Sequence, residues 1–367
     1  MDLKSFRTLG RSGLVISPLA LGTMTFAAPG WGSADDVSKA VFNEYIGAGG
    51  NFIDTADVYG GGRSEEIVGD CIAERSLRDS IVLATKFTFN SQPGNPNAGG
   101  NGRKNIHRAL ESSLKRLKTD YIDLYWMHYW DQTTPVEEVL GTFAALQQQG
   151  KIRYFGLSDV PAWYATKMAV LAGTISCPAP IALQMEYSLI ERSIEREHVP
   201  VAVECGLGVV PWGPLGSGFL SGKYQRGSGK PEGQGRFSSQ QPFRQFTDKH
   251  WNILDSLQAV AGEIGRPLSQ TALAWALAQP GVSATLVGAS KVDQLKQNLA
   301  SLGVEFSAAQ LETLNSVSAL EPAHPYAGFT PQVKSSIFGG TDVQTWSPAH
   351  SQSPRSLAIS QRKKEHS

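Results

Sequence analysis

Apolar residues along this chain come in short runs of strand length. Each run ends in a polar residue or glycine, and amphipathic stretches with helical spacing lie between them. The runs are Leu19–Met24, Phe52–Asp54, Ile81–Lys86, Ile122–His128, Tyr154–Ser158, Ile181–Gln184, Val209–Trp212 and Thr285–Gly288. After the first, Val37, Ala40, Val41, Tyr45 and Ile46 share one helix face, entered through Ser33 and Asp35 and closed by Gly47. Further on, Ile106, Ala109, Leu110, Leu114 and Leu117 form a stripe, with Lys104, Arg108, Lys115 and Lys118 off it. Another helix is predicted from Pro135, with Glu137 and Glu138 in its first turn, to Gly150. Acid at the start and glycine at the end match the helix dipole and the usual stop.

Runs that are apolar almost throughout imply burial on both faces, hence a parallel sheet. Eight strand–helix units predict an α/β fold of the closed (β/α)8 TIM-barrel type over residues 1–320. The ~250 residues that such barrels usually need leave room for additions. An open doubly wound sheet is the competing architecture, but it should carry a glycine fingerprint in the first strand–turn–helix, where this chain has none. Gly216–Tyr224 resembles a phosphate loop only loosely, because Ser217 stands where a glycine belongs and Tyr224 where Ser or Thr is required. The additions are a hairpin around Gly10–Gly13, a long polar segment from Gln225 to Thr247 that is a candidate lid, and a tail over 321–367 whose last stretch has a disordered composition.

Composition adds exclusions. Lys+Arg and Asp+Glu balance at 33 each, so no net field recruits nucleic acid or an anionic membrane. Cys71, Cys177 and Cys205 are odd in number and lack metal-ligand spacing, which points to a reducing, cytoplasmic setting and to no metal site. The first residues hold no apolar signal core, and Gln279-Pro280-Gly281 interrupts the uncharged stretch Pro267–Ser290, which reads as helix, turn and strand rather than a membrane span.

Chemistry collects at the run ends. Asp54 closes the second run, Lys86 the third and His128 the fourth, with Tyr59 just past the second in a glycine-rich turn. Asp54 and Tyr59 alone divide evenly between acid–base chemistry and a helix cap beside a surface tyrosine. Four such groups converging on one barrel rim favour chemistry.

In Gly49–Glu66, Arg108–His128 and Val287–Asn298 the chain resembles the aldo-keto reductases, over about residues 4–320. The details are similar to the aryl-alcohol-dehydrogenase-like and potassium-channel-β-like branches. The resemblance implies a (β/α)8 fold, carbonyl reduction with NADPH rather than NADH, and a tetrad of Asp54, Tyr59, Lys86 and His128. A Lys86 ammonium beside Tyr59 would lower the pKa of its phenol, with Asp54 as counter-ion.

The same resemblance implies cofactor contacts at Gly22, Thr23, Met24 and Asp54, at Ser158, Asp159 and Gln184 for the carboxamide, and at Trp212 for the nicotinamide face. Leu215, Ser217 and Gly218 would lie along the pyrophosphate, with Gly213, Pro214 and Lys223 as further cofactor contacts. Gly288, Ser290 and Lys291 would meet a 2′-phosphate, with Gln294 and Asn298 toward adenine. Asp159 departs from the family, which has Asn there; an ionised Asp accepts hydrogen bonds but cannot donate one.

Phe26, Trp31, Phe89, Tyr129 and Trp130, with Tyr59 and His128, are expected to wall a pocket for an aromatic or bulky cyclic carbonyl. The expected function is reversible reduction of such carbonyls. The competing reading is an NADP-binding redox-sensing subunit with little turnover. The expected partner is a small molecule, without nucleic acid or membrane insertion; assembly of identical copies stays open.

Overall fold

A computed structural model describes residues 1–175, 177–226 and 246–343. The chain divides into two compact units, Met1–Leu320 and Glu321–Ser367.

In the first unit, β1 (Arg7–Thr8) and β2 (Val15–Ile16) form the antiparallel hairpin. The sheet strands are β3 (Leu19–Gly22), β4 (Phe52–Asp54), β5 (Val82–Phe87), β6 (Ile122–Met127), β7 (Ile152–Ser158), β8 (Ala182–Gln184), β9 (Gly208–Val209) and β10 (Thr285–Val287). They pair in parallel in the order β10-β3-β4-β5-β6-β7-β8-β9. Val209 closes the ring, donating to the Gly281 carbonyl at 2.9 Å and accepting from the Ser283 N–H at 2.8 Å. The fold is a (β/α)8 barrel.

Helices α1 (Asp35–Gly47), α2 (Arg63–Glu74), α3 (Arg103–Leu117), α4 (Val136–Gln148), α5 (Ala162–Thr174) and α6 (His198–Cys205) follow β3 to β8 in turn. Between β9 and β10 lie α7 (Asp248–Ile264) and α8 (Leu268–Leu277), so the uncharged stretch is indeed helix, turn and strand. After β10 come α9 (Val292–Leu299) and α10 (Ala308–Val317). The α3 stripe read from the sequence is buried along its whole length.

Strand alternation sorts the two cores. Ala20, Phe52, Val82, Ala84, Leu124, Trp126, Ala182, Val210 and Ala284 fill the barrel interior together with Leu9 and Ile16 of the hairpin. Their neighbours Leu19, Leu21, Ile53, Leu83, Tyr125 and Met127 point outward into the core shared with the helices. A fully buried Leu or Phe of this kind stabilises by about 1.5–3 kcal/mol. Gly156 shows how tightly the interior is filled, since a Cβ there would lie 2.3 Å from the Trp126 ring. A side chain at that position would force the largest buried ring of the barrel out of place.

In the second unit the described residues form a short turn at Tyr326–Gly328 and helix α11 (Pro331–Ile337). Most of the candidate lid and the tail expected to be disordered lie outside the described residues.

Candidate active site

Period-2 alternation decides what reaches the barrel mouth. Val82 and Ala84 face inward, so Lys86 does too; Phe52 carries Asp54 with it, Ala182 carries Gln184, and Leu124 and Trp126 lead to His128. The residues at the carboxyl ends of these strands therefore converge.

Lys86 is fully buried and ion-paired to Asp54. Its ammonium also donates to the Thr55 carbonyl at 2.9 Å and to the Tyr59 hydroxyl at 3.4 Å. Gln184 donates its amide to the second Asp54 oxygen at 3.0 Å. The His128 ring stands edge-on to Tyr59, 5.8 Å between centroids. The structure thus brings Asp54, Tyr59, Lys86 and His128 into one cluster.

The turn that delivers Tyr59 depends on glycine. Gly60, Gly61 and Gly62 have φ of 56°, 65° and 99°, in the left-handed region. A Cβ on Gly60 would also sit 3.2 Å from the Phe26 and Ala27 carbonyl oxygens.

Electrostatics follow from burial and neighbours. Burial lowers the Lys86 pKa, but Asp54 and Tyr59 outweigh it and hold it above the ordinary lysine value. For Tyr59 the balance runs the other way from the expectation. Burial raises the phenol, Lys86 pulls it down only in part, and the net pKa lies above the ordinary value. A phenol in this state stays protonated across the neutral range. Burial, and then Lys86, push the His128 imidazole well below its usual pKa, so it is neutral. Its Nδ1 is buried without a hydrogen-bond partner among the described residues.

The other expected contacts vary in character. Thr23 is fully buried and accepts from Ser64 at 2.8 Å while donating to the Asp54 carbonyl at 3.3 Å, so its side chain braces the strand end from below. Gly22 and Gly288 lie side by side: a Cβ on Gly22 would come 3.7 Å from the Val287 carbonyl oxygen, and one on Gly288 3.8 Å from both the Gly22 carbonyl oxygen and the Thr25 methyl. Met24 and Ser290 are partly exposed, Ser158 is buried, and Lys223 and Lys291 are exposed.

Trp212 donates its indole N–H to Asp159 at 3.1 Å. Burial, with Glu186 adding to it, lifts the Asp159 pKa to about 7, against the pull of Trp212 and Lys86. Past Pro214 and Leu215, Gly216, Ser217 and Gly218 all have positive φ, as does Gly213 ahead of them. Gln294 accepts from the Ser290 N–H at 2.9 Å, and Asn298 donates to the Gly288 carbonyl at 3.1 Å. Both amides fasten the β10–α9 loop, and Asn298 is almost wholly buried.

Among the aromatics, Phe89 and Tyr129 are 42% and 47% exposed and flank His128, whereas Phe26 is fully buried in the outer core. The residues after β3 turn inward, Phe26 N–H bonding to the Thr23 carbonyl at 2.9 Å, so Phe26 offers no wall. Trp31 is partly exposed. Trp130 packs against Trp163 and Tyr164 of α5, at 5.6 and 6.3 Å.

The sequence reading missed two buried features. Asp57 has one oxygen without a partner among the described residues, and burial together with nearby Glu65 raises its pKa to about 7. Glu65, fully buried, accepts from Arg116 at 2.6 Å and Thr85 at 2.5 Å. The other feature is Asn101, fully buried in the β5–α3 loop. Its only sequence signal was the surrounding cluster of glycines, which marks a turn and no more.

Comparison with known proteins agrees with this fold. Residues 18–319 match the aldo/keto reductase family. The chain is 36% identical to a probable voltage-gated potassium channel subunit beta of Oryza sativa subsp. japonica, over 82% of this chain and 91% of that protein. It is 33% identical to a norsolorinic acid reductase of Aspergillus flavus, covering 86% of this chain and 81% of the relative. An NADP(+) aryl-alcohol dehydrogenase of Phanerodontia chrysosporium is 31% identical, with 86% of each covered. With the barrel closed and the family match spanning nearly all of it, the chain belongs to the aldo/keto reductase family of oxidoreductases.

Proposed function

We propose that the protein is a cytoplasmic NADPH-dependent reductase of aromatic or bulky cyclic aldehydes and ketones, with Tyr59 as the general acid. The observation that carries this reading is the buried Lys86 ammonium, bonded at once to Asp54 and to the Tyr59 hydroxyl at the barrel mouth.

The residues present suit the cofactor. Gly216, Ser217 and Gly218 follow one another at positive φ, Ser217 is exposed, and a Cβ on Gly218 would meet nothing within 4 Å, so this turn leaves room for a phosphate to approach its backbone. Ser290 and Lys291 at the amino end of α9 suit a further phosphate, Lys223 adds an exposed cation, and Trp212 offers a ring tethered by Asp159. Bound NADPH supplies the hydride.

The chain's own groups handle the proton. As negative charge develops on the carbonyl oxygen, the protonated Tyr59 hydroxyl donates to it, and Lys86 steadies the phenolate left behind. Asp54 keeps Lys86 charged and in place. Neutral His128 bears its proton on Nε2, because an unpaired buried N–H at Nδ1 costs more than an unpaired lone pair, and Nε2 then donates to the same carbonyl oxygen.

The test is NADPH oxidation, followed by absorbance, with a panel of aryl aldehydes, diketones and bulky cyclic ketones. Turnover of the aryl members is expected. Tight NADPH binding without turnover on any of them would sink the reductase reading in favour of a redox-sensing subunit; the rice relative carries the name of a channel subunit rather than of an enzyme.

Asp159 adds a pH dependence. Below about 7 it holds its proton and can both donate to and accept from a carboxamide; above that it only accepts. NADPH affinity, read by quenching of tryptophan fluorescence, is expected to weaken above pH 7 in the native protein. The dependence should be markedly flatter in Asp159→Asn. Equal slopes in both proteins would exclude this role.

A further inference from the structure

The loop from Thr88 to Gly102 carries Phe89 to the mouth, and most of residues 89–97 are exposed. Its two ends are tied together from within. The Thr88 hydroxyl donates to Asn101 Oδ1 at 2.7 Å, and the Thr88 carbonyl accepts from the Gly100 N–H at 2.7 Å. Asn101 then reaches the neighbouring loop. Its Nδ2 donates to the Tyr129 carbonyl at 2.9 Å and its backbone N–H to Asp131 Oδ2 at 2.8 Å. The His128 N–H completes the circuit, donating to the Thr88 hydroxyl at 3.2 Å.

Thr88 holds φ at 120°, a value β-branched residues rarely adopt, and such strain persists only where surrounding bonds enforce it. The clamp therefore sets two loops against each other that the barrel alone leaves independent. What it aligns is a row of rings. Tyr59 stands 5.8 Å from His128, His128 stands 4.9 Å from Phe89 edge-on at 83°, and Phe89 lies 6.0 Å from Tyr129. The row begins at the proton donor and ends in two rings that are nearly half exposed. Neither ring is needed to fill the core, and the two stand together at the mouth rather than scattered singly.

We propose that Asn101, acting with Thr88, is a positioning residue for substrate selection: it locks the β5–α3 and β6–α4 loops so that Phe89 and Tyr129 form a fixed wall that favours flat aromatic carbonyls over short aliphatic ones. This rests on the reductase reading above. A preformed wall spares an aromatic substrate the cost of ordering the loop, while a short aliphatic aldehyde has no ring to lay against Phe89 and gains less from it.

The experiment compares benzaldehyde with propanal in the full-length protein, for the native chain and for Asn101→Ala, Thr88→Val, Phe89→Ala and the Asn101→Ala/Phe89→Ala pair. Thr88→Val keeps the branched shape and deletes only the hydroxyl, so it stands in should Asn101→Ala fold poorly. Each clamp variant is expected to raise KM for benzaldehyde about tenfold more than KM for propanal, with NADPH affinity by fluorescence unmoved. In the Phe89→Ala background the Asn101 substitution is expected to add little, because its effect passes through that ring. Equal losses on both aldehydes, or full additivity in the pair, would overturn the assignment while leaving the reductase reading intact. A native protein inert toward every carbonyl would overturn both.

Discussion

Replacing Tyr59 with phenylalanine is expected to lower carbonyl reduction by roughly 10²- to 10⁴-fold, the range typical of losing a positioned proton donor. The substitution is confined to one atom. Among the described residues the hydroxyl has one hydrogen bond, from Lys86 at 3.4 Å, so neither fold nor cofactor affinity should change appreciably. The loss should therefore fall on kcat, with the dissociation constant for NADPH close to native. Because burial holds the phenol above its ordinary pKa, reduction by the native enzyme should hold through neutral pH as far as Tyr59 governs it. The fall due to Tyr59 should come only on the alkaline side. A Tyr59→Phe protein with near-native rates would remove Tyr59 from the mechanism.

The second large effect is on stability. Asp54→Asn leaves the fully buried Lys86 ammonium without its counter-charge, a situation that costs about 3–5 kcal/mol. The hydrogen bonds to Thr55 and Tyr59 remain but carry no full negative charge. Thermal unfolding at pH 7 should show a clearly lower midpoint. The sign with pH is diagnostic. In the native protein the raised Lys86 pKa means that the pair stabilises at neutral pH and loses this contribution only above that pKa. In Asp54→Asn, burial is opposed by Tyr59 alone and depresses the Lys86 pKa, so the deficit should shrink as pH rises toward 10. Replacing both partners, as Asp54→Asn with Lys86→Met, should recover most of the loss. A single variant as stable as the native chain at pH 7 would show that the pair is not the electrostatic unit described.

Both predictions depend on residues that could be named before any coordinates. Eight apolar runs, each closed by a polar residue or glycine, carry the information for a parallel barrel, because burial on both faces leaves little other choice. Alternation within each run then determines that Asp54, Lys86, His128 and Gln184 share the inner face. The glycines behind Tyr59 marked the turn that brings the phenol back.

The sequence was silent wherever two effects of opposite sign compete or where distant loops meet. It suggested that Lys86 would lower the Tyr59 pKa, yet the net direction depends on how deeply the ring is buried, a property of the packed barrel. It ranked Phe26 with the pocket aromatics, whereas the turn after β3 sends that ring into the core. Asn101 reads as one more polar loop residue until Thr88, Tyr129 and Asp131 are seen around it.

Local periodicity and strand-end chemistry are properties of neighbouring residues, and so the chain by itself determined the barrel and the four groups at its mouth. The protonation balance of Tyr59, the near-neutral carboxyls of Asp57 and Asp159, and the clamp behind the aromatic wall were decided only by the tertiary structure. Each depends on desolvation and on contacts between segments far apart along the chain, and neither exists until the barrel closes.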